Sequence, residues 1–119
     1  MNDPFENSEA WKQARILTNQ VYALCCREPL ARDFGLRDQL QRAAVSVMNN
    51  VADGWESLHA AEKRQAYNIA RRSCGEVRSM GYVLFDNKFI SEPEHHELTA
   101  LCVQAGKLIS GLIRSLGDR

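Results

Sequence analysis

Only three prolines occur in the 119 residues, at positions 4, 29 and 93, and that scarcity limits the fold more than any other feature. A proline inside a helix removes a backbone donor, clashes with the preceding turn and costs about 3 kcal/mol. Long proline-free stretches with apolar residues every three or four positions therefore read as helices, with the prolines as punctuation.

Four such stretches follow. The first helix is predicted over residues 8–27, after a cap at Asn7 or Ser8, with Ala10, Ala14, Leu17, Val21 and Leu24 on one face. Pro29 ends it. The second is predicted over 36–55, with Leu36, Leu40, Ala43, Val47 and Val51 inward and Gly54 as a left-handed C-cap. The third runs over 59–87, lined by Ala66, Ile69, Ala70, Ser73, Val77, Met80 and Leu84. Ser91-Glu92-Pro93-Glu94 reads as a capping box with proline in the first turn, so the fourth helix spans 92–116. Its stripe is broad, from Leu98 to Leu116, and Gly117 closes it. No segment alternates with the two-residue period of a strand. Short connections make neighbouring helices antiparallel. The expected fold is all-α, an antiparallel up-and-down four-helix bundle in which residues 1–119 form one domain.

Composition narrows the function. Apolar residues make up 45% and charged residues 25%, the balance of a globular chain, and 15 basic residues match 15 acidic ones. Bulk positive charge therefore cannot coat a nucleic acid, and any such contact needs a local patch. No apolar run approaches the ~20 residues of a membrane span. The polar start MNDPFENSEAWKQ is no secretory signal, so cytoplasmic residence is expected. The four cysteines form no CxxC pair and are expected as buried free thiols.

A local patch does exist. Residues 59–80 carry five Lys/Arg against two Glu, and Arg64, Arg71 and Arg78 recur every seven positions as one ridge. Lys63, Arg72 and the ring of Tyr67 flank it. Guanidinium groups beside an aromatic ring suit phosphates and stacked bases. Lys63, Arg64, Tyr67, Arg71, Arg72 and Arg78 are thus the candidate nucleic-acid contacts. A solvated face, or salt bridges between subunits, is the alternative use of the same ridge. Two helices also carry second apolar faces. Val45, Met48, Ala52 and Trp55 line one on the second helix, and Tyr67, Tyr82 and Phe85 point away from the core stripe of the third. All but Tyr67, already assigned to the ridge, are candidate contacts of an oligomer interface.

Catalytic and metal signals are weak. Glu92-x-x-His95 is only one of the two Glu-x-x-His motifs a di-iron bundle needs, and the first two core stripes contain no Glu, so His95 and His96 are expected as first-turn surface residues. Cys and His are not spaced as a zinc site, and Ser46, Ser73, Ser79 and Ser110 have no His placed to activate them. No catalytic residue, metal or cofactor is expected.

The stretch from Leu36 to Glu76 resembles a known family. Gln39, Arg42-Ala43-Ala44-Val45-Ser46 and Asn49-Asn50-Val51-Ala52-Asp53-Gly54 resemble the signature of the four-helix bundle proteins encoded in 23S rRNA intervening sequences. Ile69-Ala70-Arg71-Arg72-Ser73, Glu76 and Phe89-Ile90-Ser91 extend the likeness over nearly the whole chain. Asp53 stands where the family usually has Glu, and Arg72 where it usually has Gly. The resemblance implies a bundle that assembles as a ring-like homopentamer. It also implies similarity to the accessory protein of diversity-generating retroelements, a basic pentameric bundle that looks like a partner of nucleic acid and reverse transcriptase. Read as residues, Ser46 can bond back to the carbonyl four positions earlier, Asn49, Asn50 and Asp53 can cap or cross-link helix ends, and Gly54 suits a left-handed C-cap. The function expected is a non-enzymatic, self-associating bundle that binds nucleic acid or scaffolds through the basic ridge. The alternative is a protein-interaction adaptor using exposed aromatic faces.

Overall fold

In the computed structural model, which describes residues 3–117, four helices pack side by side: α1 (Glu9–Cys25), α2 (Phe34–Glu56), α3 (Ala60–Asp86) and α4 (Glu92–Ser115). Single 3-10 turns at Phe5–Asn7 and Leu30–Arg32 precede α1 and α2. No strand occurs among the described residues. Each helix packs on its two neighbours, α1 on α2 and α4, and α3 on α2 and α4, which is the cyclic order of an up-and-down bundle. The 27 residues of α3 span roughly 40 Å at 1.5 Å each. That length accounts for the long axis of 46 Å beside 21 and 20 Å across.

Local chemistry sets the boundaries. The Ser8 hydroxyl accepts from Trp11 N and starts α1. Asp33 accepts from Leu36 N, so α2 begins at Phe34, two residues before the first core leucine. Ser91 accepts from Glu94 N while Glu94 accepts from Ser91 N, the reciprocal capping box. Gly117 ends α4 with φ +65°, a left-handed conformation that costs glycine least.

The core is one continuous cluster. Leu17, Leu40, Val47, Leu84, Leu98 and Ile109 are fully buried, each worth about 1.5–3 kcal/mol of transfer free energy. One polar tie runs through it: the buried Thr18 hydroxyl lies 2.8 Å from Ala14 O and 3.1 Å from Ala44 O, linking α1 to α2. All four cysteines are free thiols. Cys25, Cys74 and Cys102 are buried, but Cys26 is exposed beyond the last turn of α1. No helix among the described residues is long and apolar enough to cross a membrane.

Candidate nucleic-acid interface

The ridge residues do not stay together. Arg71 and Arg78 project into an open groove between α3 and α4, and Lys107 and Arg114 reach into it from the other side. The groove holds about 520 Å³. Its floor is small or uncharged: beyond their own helix backbone and chain neighbours, Gly75 and Gly106 have nothing within 4 Å of where a Cβ would stand, and Cys74 and Cys102 lie beside them. Burial pushes the Cys74 thiol up to about 11 and the Cys102 thiol up to about 12, so both are neutral at neutral pH and cancel none of the surrounding charge. No carboxylate among the described residues lines the groove. Among the described residues, none of the four cations takes part in an ion pair.

Lys107 and Arg114 escaped the sequence reading. Their seven-residue spacing repeats that of Arg71 and Arg78, and that was the available signal. It went unread because the two cations flank a broad apolar stripe instead of standing in a basic cluster.

The other candidates have different surroundings. Lys63 donates to the Gly54 and Trp55 carbonyls, both at 3.0 Å, and so caps the C-terminal end of α2. Arg64 donates to the Gly117 carbonyl. Arg72 is exposed on α3 outside the groove lining. Tyr67 is a correction. Expected beside the ridge, it is 3% exposed, with its ring packed over the backbone of α2 at Gly54, where the missing side chain makes room. Burial also raises its hydroxyl pKa.

On α2, Val45, Met48, Ala52 and Trp55 are all partly buried. Met48 packs against the core, and Trp55 Nε1 donates to Asp3 O at 2.7 Å, so the N-terminal segment covers part of that stripe. Tyr82 remains 54% exposed, and Phe85 stacks on His95 at 4.9 Å between centroids. His95 is the second correction. It is only 7% exposed because the first turn of α4 crosses α3 at Gly81, where its ring comes within 3.5 Å of the position a Cβ would take.

The sequence matches the 23S rRNA-intervening sequence protein family over residues 6–111. The chain belongs to that family. Its fold is similar to a protein with unknown function from the S23 ribosomal protein family of Bacteroides thetaiotaomicron, with a TM-score of 0.80, 15% identity, and coverage of 88% of this chain and 95% of that one. At that identity the likeness concerns the fold alone. No curated protein matches the sequence.

The residues that carry the family signature hold α2 against α3. The Ser46 hydroxyl lies 2.8 Å from the Ser73 hydroxyl, and Asn50 Nδ2 donates to Ser46 O at 2.9 Å and to Ser46 Oγ at 3.1 Å. Ser46 therefore bonds across helices and not back to the carbonyl four residues earlier. The Asp53 carbonyl accepts from Ser57 N and Ser57 Oγ and closes α2. Gly54 is not the expected left-handed cap. It is a buried residue inside the last turns of α2, needed for close approach to Tyr67.

Proposed function

We propose that this chain is a non-enzymatic bundle protein that binds nucleic acid through the α3/α4 groove. One observation carries the reading: Arg71, Arg78, Lys107 and Arg114 converge on a groove with a neutral floor and, among the described residues, no carboxylate. Unpaired surface cations held in a concave site attract polyanions, and the seven-residue steps along each helix space the charges by about 10 Å. The family assignment adds no activity, and the buried His95 is packed between the rings of Tyr82 and Phe85, an aromatic setting that supports a binding surface over a catalytic one. The test is binding of a labelled oligonucleotide by anisotropy across a salt series. Wild type is expected to show a log–log salt slope of roughly −2 to −3, for up to four phosphate contacts on a single strand. Replacing Arg71, Arg78 and Lys107 by Glu should abolish binding with helicity intact. Absence of salt-dependent binding by wild type at low ionic strength would sink the reading.

Self-association is the second element of the proposal. A shallow surface cleft between α1 and α2 joins Tyr22, which is 43% exposed, to Val45 of the second apolar face. Light scattering of the purified chain should give a multiple of the monomer mass, the pentamer being the number the family resemblance implies. A monomer at high protein concentration would remove it.

A further inference from the structure

Next to the cationic groove, on the same α3/α4 face, lies a site of different chemistry. Tyr82, Phe85, His95 and His96 wall a cavity of about 510 Å³ whose polar groups are Glu92 and Thr99, and no lysine or arginine lines it. His95 is its back wall, stacked on Phe85 at 4.9 Å and 15° and met edge-on by Tyr82 at 4.6 Å and 78°. The His96 ring lies 6.5 Å away, and Tyr82 keeps just over half of its surface in solvent. His95 Nε2 is buried without a hydrogen-bond partner among the described residues, an unmet donor or acceptor that a ligand or a water entering the cavity could satisfy. Val103 borders both this cavity and the cationic groove, so the two adjoin.

The two halves select for different parts of one ligand. Four cations without a counter-charge suit phosphates. An aromatic cavity edged by a carboxylate repels phosphate but accepts a flat, apolar-faced ring with amino groups on its rim. Arg78 and Tyr82 are four residues apart on one face of α3, a step of about 6 Å along the axis. A phosphate at Arg78 and a base at Tyr82 would then lie about as far apart as neighbouring parts of an extended strand. In a duplex both faces of each base are already stacked, so only an unpaired base can use the ring.

We propose that the α3/α4 face takes a single-stranded nucleic acid, with phosphates in the cationic groove and one unstacked base against Tyr82 in the aromatic cavity. This rests on the groove reading above, and it adds strand preference and a base subsite.

The test compares wild type, Tyr82→Ala and Tyr82→Phe for binding to a single-stranded RNA, a single-stranded DNA of the same sequence, the matching DNA duplex and an abasic single strand. Wild type is expected to prefer one or both single strands to the duplex. Tyr82→Ala should weaken single-strand binding by roughly 5- to 100-fold, the usual worth of one stacked base. Duplex and abasic binding should barely change, and Tyr82→Phe should keep most of the affinity. Equal effects of Tyr82→Ala on all four ligands, or none, would overturn the base subsite while leaving the groove reading intact. So would a change in solution mass on Tyr82→Ala, which would assign the ring to a subunit interface. If wild type binds none of the four while remaining helical, the groove reading and this one fail together.

Discussion

Gly54 lies so close beneath the Tyr67 ring that a Cβ at residue 54 would stand 2.4 Å from Cε1 and 2.7 Å from Cδ1. The glycine lets the ring of a tyrosine from α3 pack directly against the backbone of α2. Gly54→Ala should therefore destabilise the protein by about 1–3 kcal/mol, because overpacking outweighs the gain of about 1 kcal/mol in helix propensity. Urea midpoints measure it. In a Tyr67→Leu background the same change should cost clearly less, since the two residues share one space. An equal cost in both backgrounds would show that the ring is not what Gly54 accommodates.

Gly75 and Gly106 should behave oppositely. Both sit inside helices where, beyond the local helix backbone and chain neighbours, nothing lies within 4 Å of a built Cβ, so alanine meets no obstacle there. Each Gly→Ala substitution should raise stability by about 0.4–1 kcal/mol, largely by restricting the unfolded chain. Gly106→Glu would place a carboxylate among Arg71, Lys107 and Arg114, and oligonucleotide affinity should fall while the melting curve stays near that of wild type. Unchanged affinity would argue against the groove as the contact surface.

Acid should expose the link between the α1 terminus and the start of α4. Arg27 donates both to the Glu94 carboxylate and, at 3.3 Å, to Phe89 O. The Arg27 guanidinium, with help from Ser91 N, holds the Glu94 carboxyl down from its ordinary 4.5 to about 2. Because the folded value is the lower one, the charged form is favoured by folding. That contribution is complete above pH 4.5 and is lost as the pH falls from there to about 2. Both side chains are partly exposed, 46% for Arg27 and 30% for Glu94, so solvent screening keeps the pair's worth at or below about 1 kcal/mol. Wild-type stability should drop more steeply over this window than that of Glu94→Gln. Parallel pH profiles would mean that the pair adds nothing net.

Thiol reactivity should separate Cys26 from the rest. Burial pushes Cys25 and Cys74 up to about 11 and Cys102 up to about 12, which leaves them as neutral thiols near pH 8. The thiolate is the nucleophile, so a disulfide reagent at that pH should label Cys26 alone in the folded chain. Denaturant should release the other three. Rapid labelling of a second thiol without denaturant would reveal local opening of the bundle.

The fold was largely readable from one dimension. Spacing and caps are local, and the proline positions, the Ser91 capping box and the 3.6-residue stripes already imply four amphipathic helices. The same locality explains what went unread. Tyr67 and His95 look like surface residues because helical phase alone does not say that a neighbouring helix offers a glycine where the ring arrives. Ser46 looks like a local cap because Ser73, its partner, is 27 positions away.

The cationic site divides in the same manner. The arginine ridge of α3 stands in the sequence as a seven-residue repeat, and so does the absence of any bulk positive charge. The sequence by itself determined the helices, their ends and which residues carry charge. Only the packing of α4 against α3 decided that Arg71 and Arg78 share a groove with Lys107 and Arg114, while Lys63 turns away to cap α2. The reason is that a groove belongs to two helices at once. Its membership depends on the crossing and rotation of both, quantities set by side chains packing across the core and written in neither helix alone.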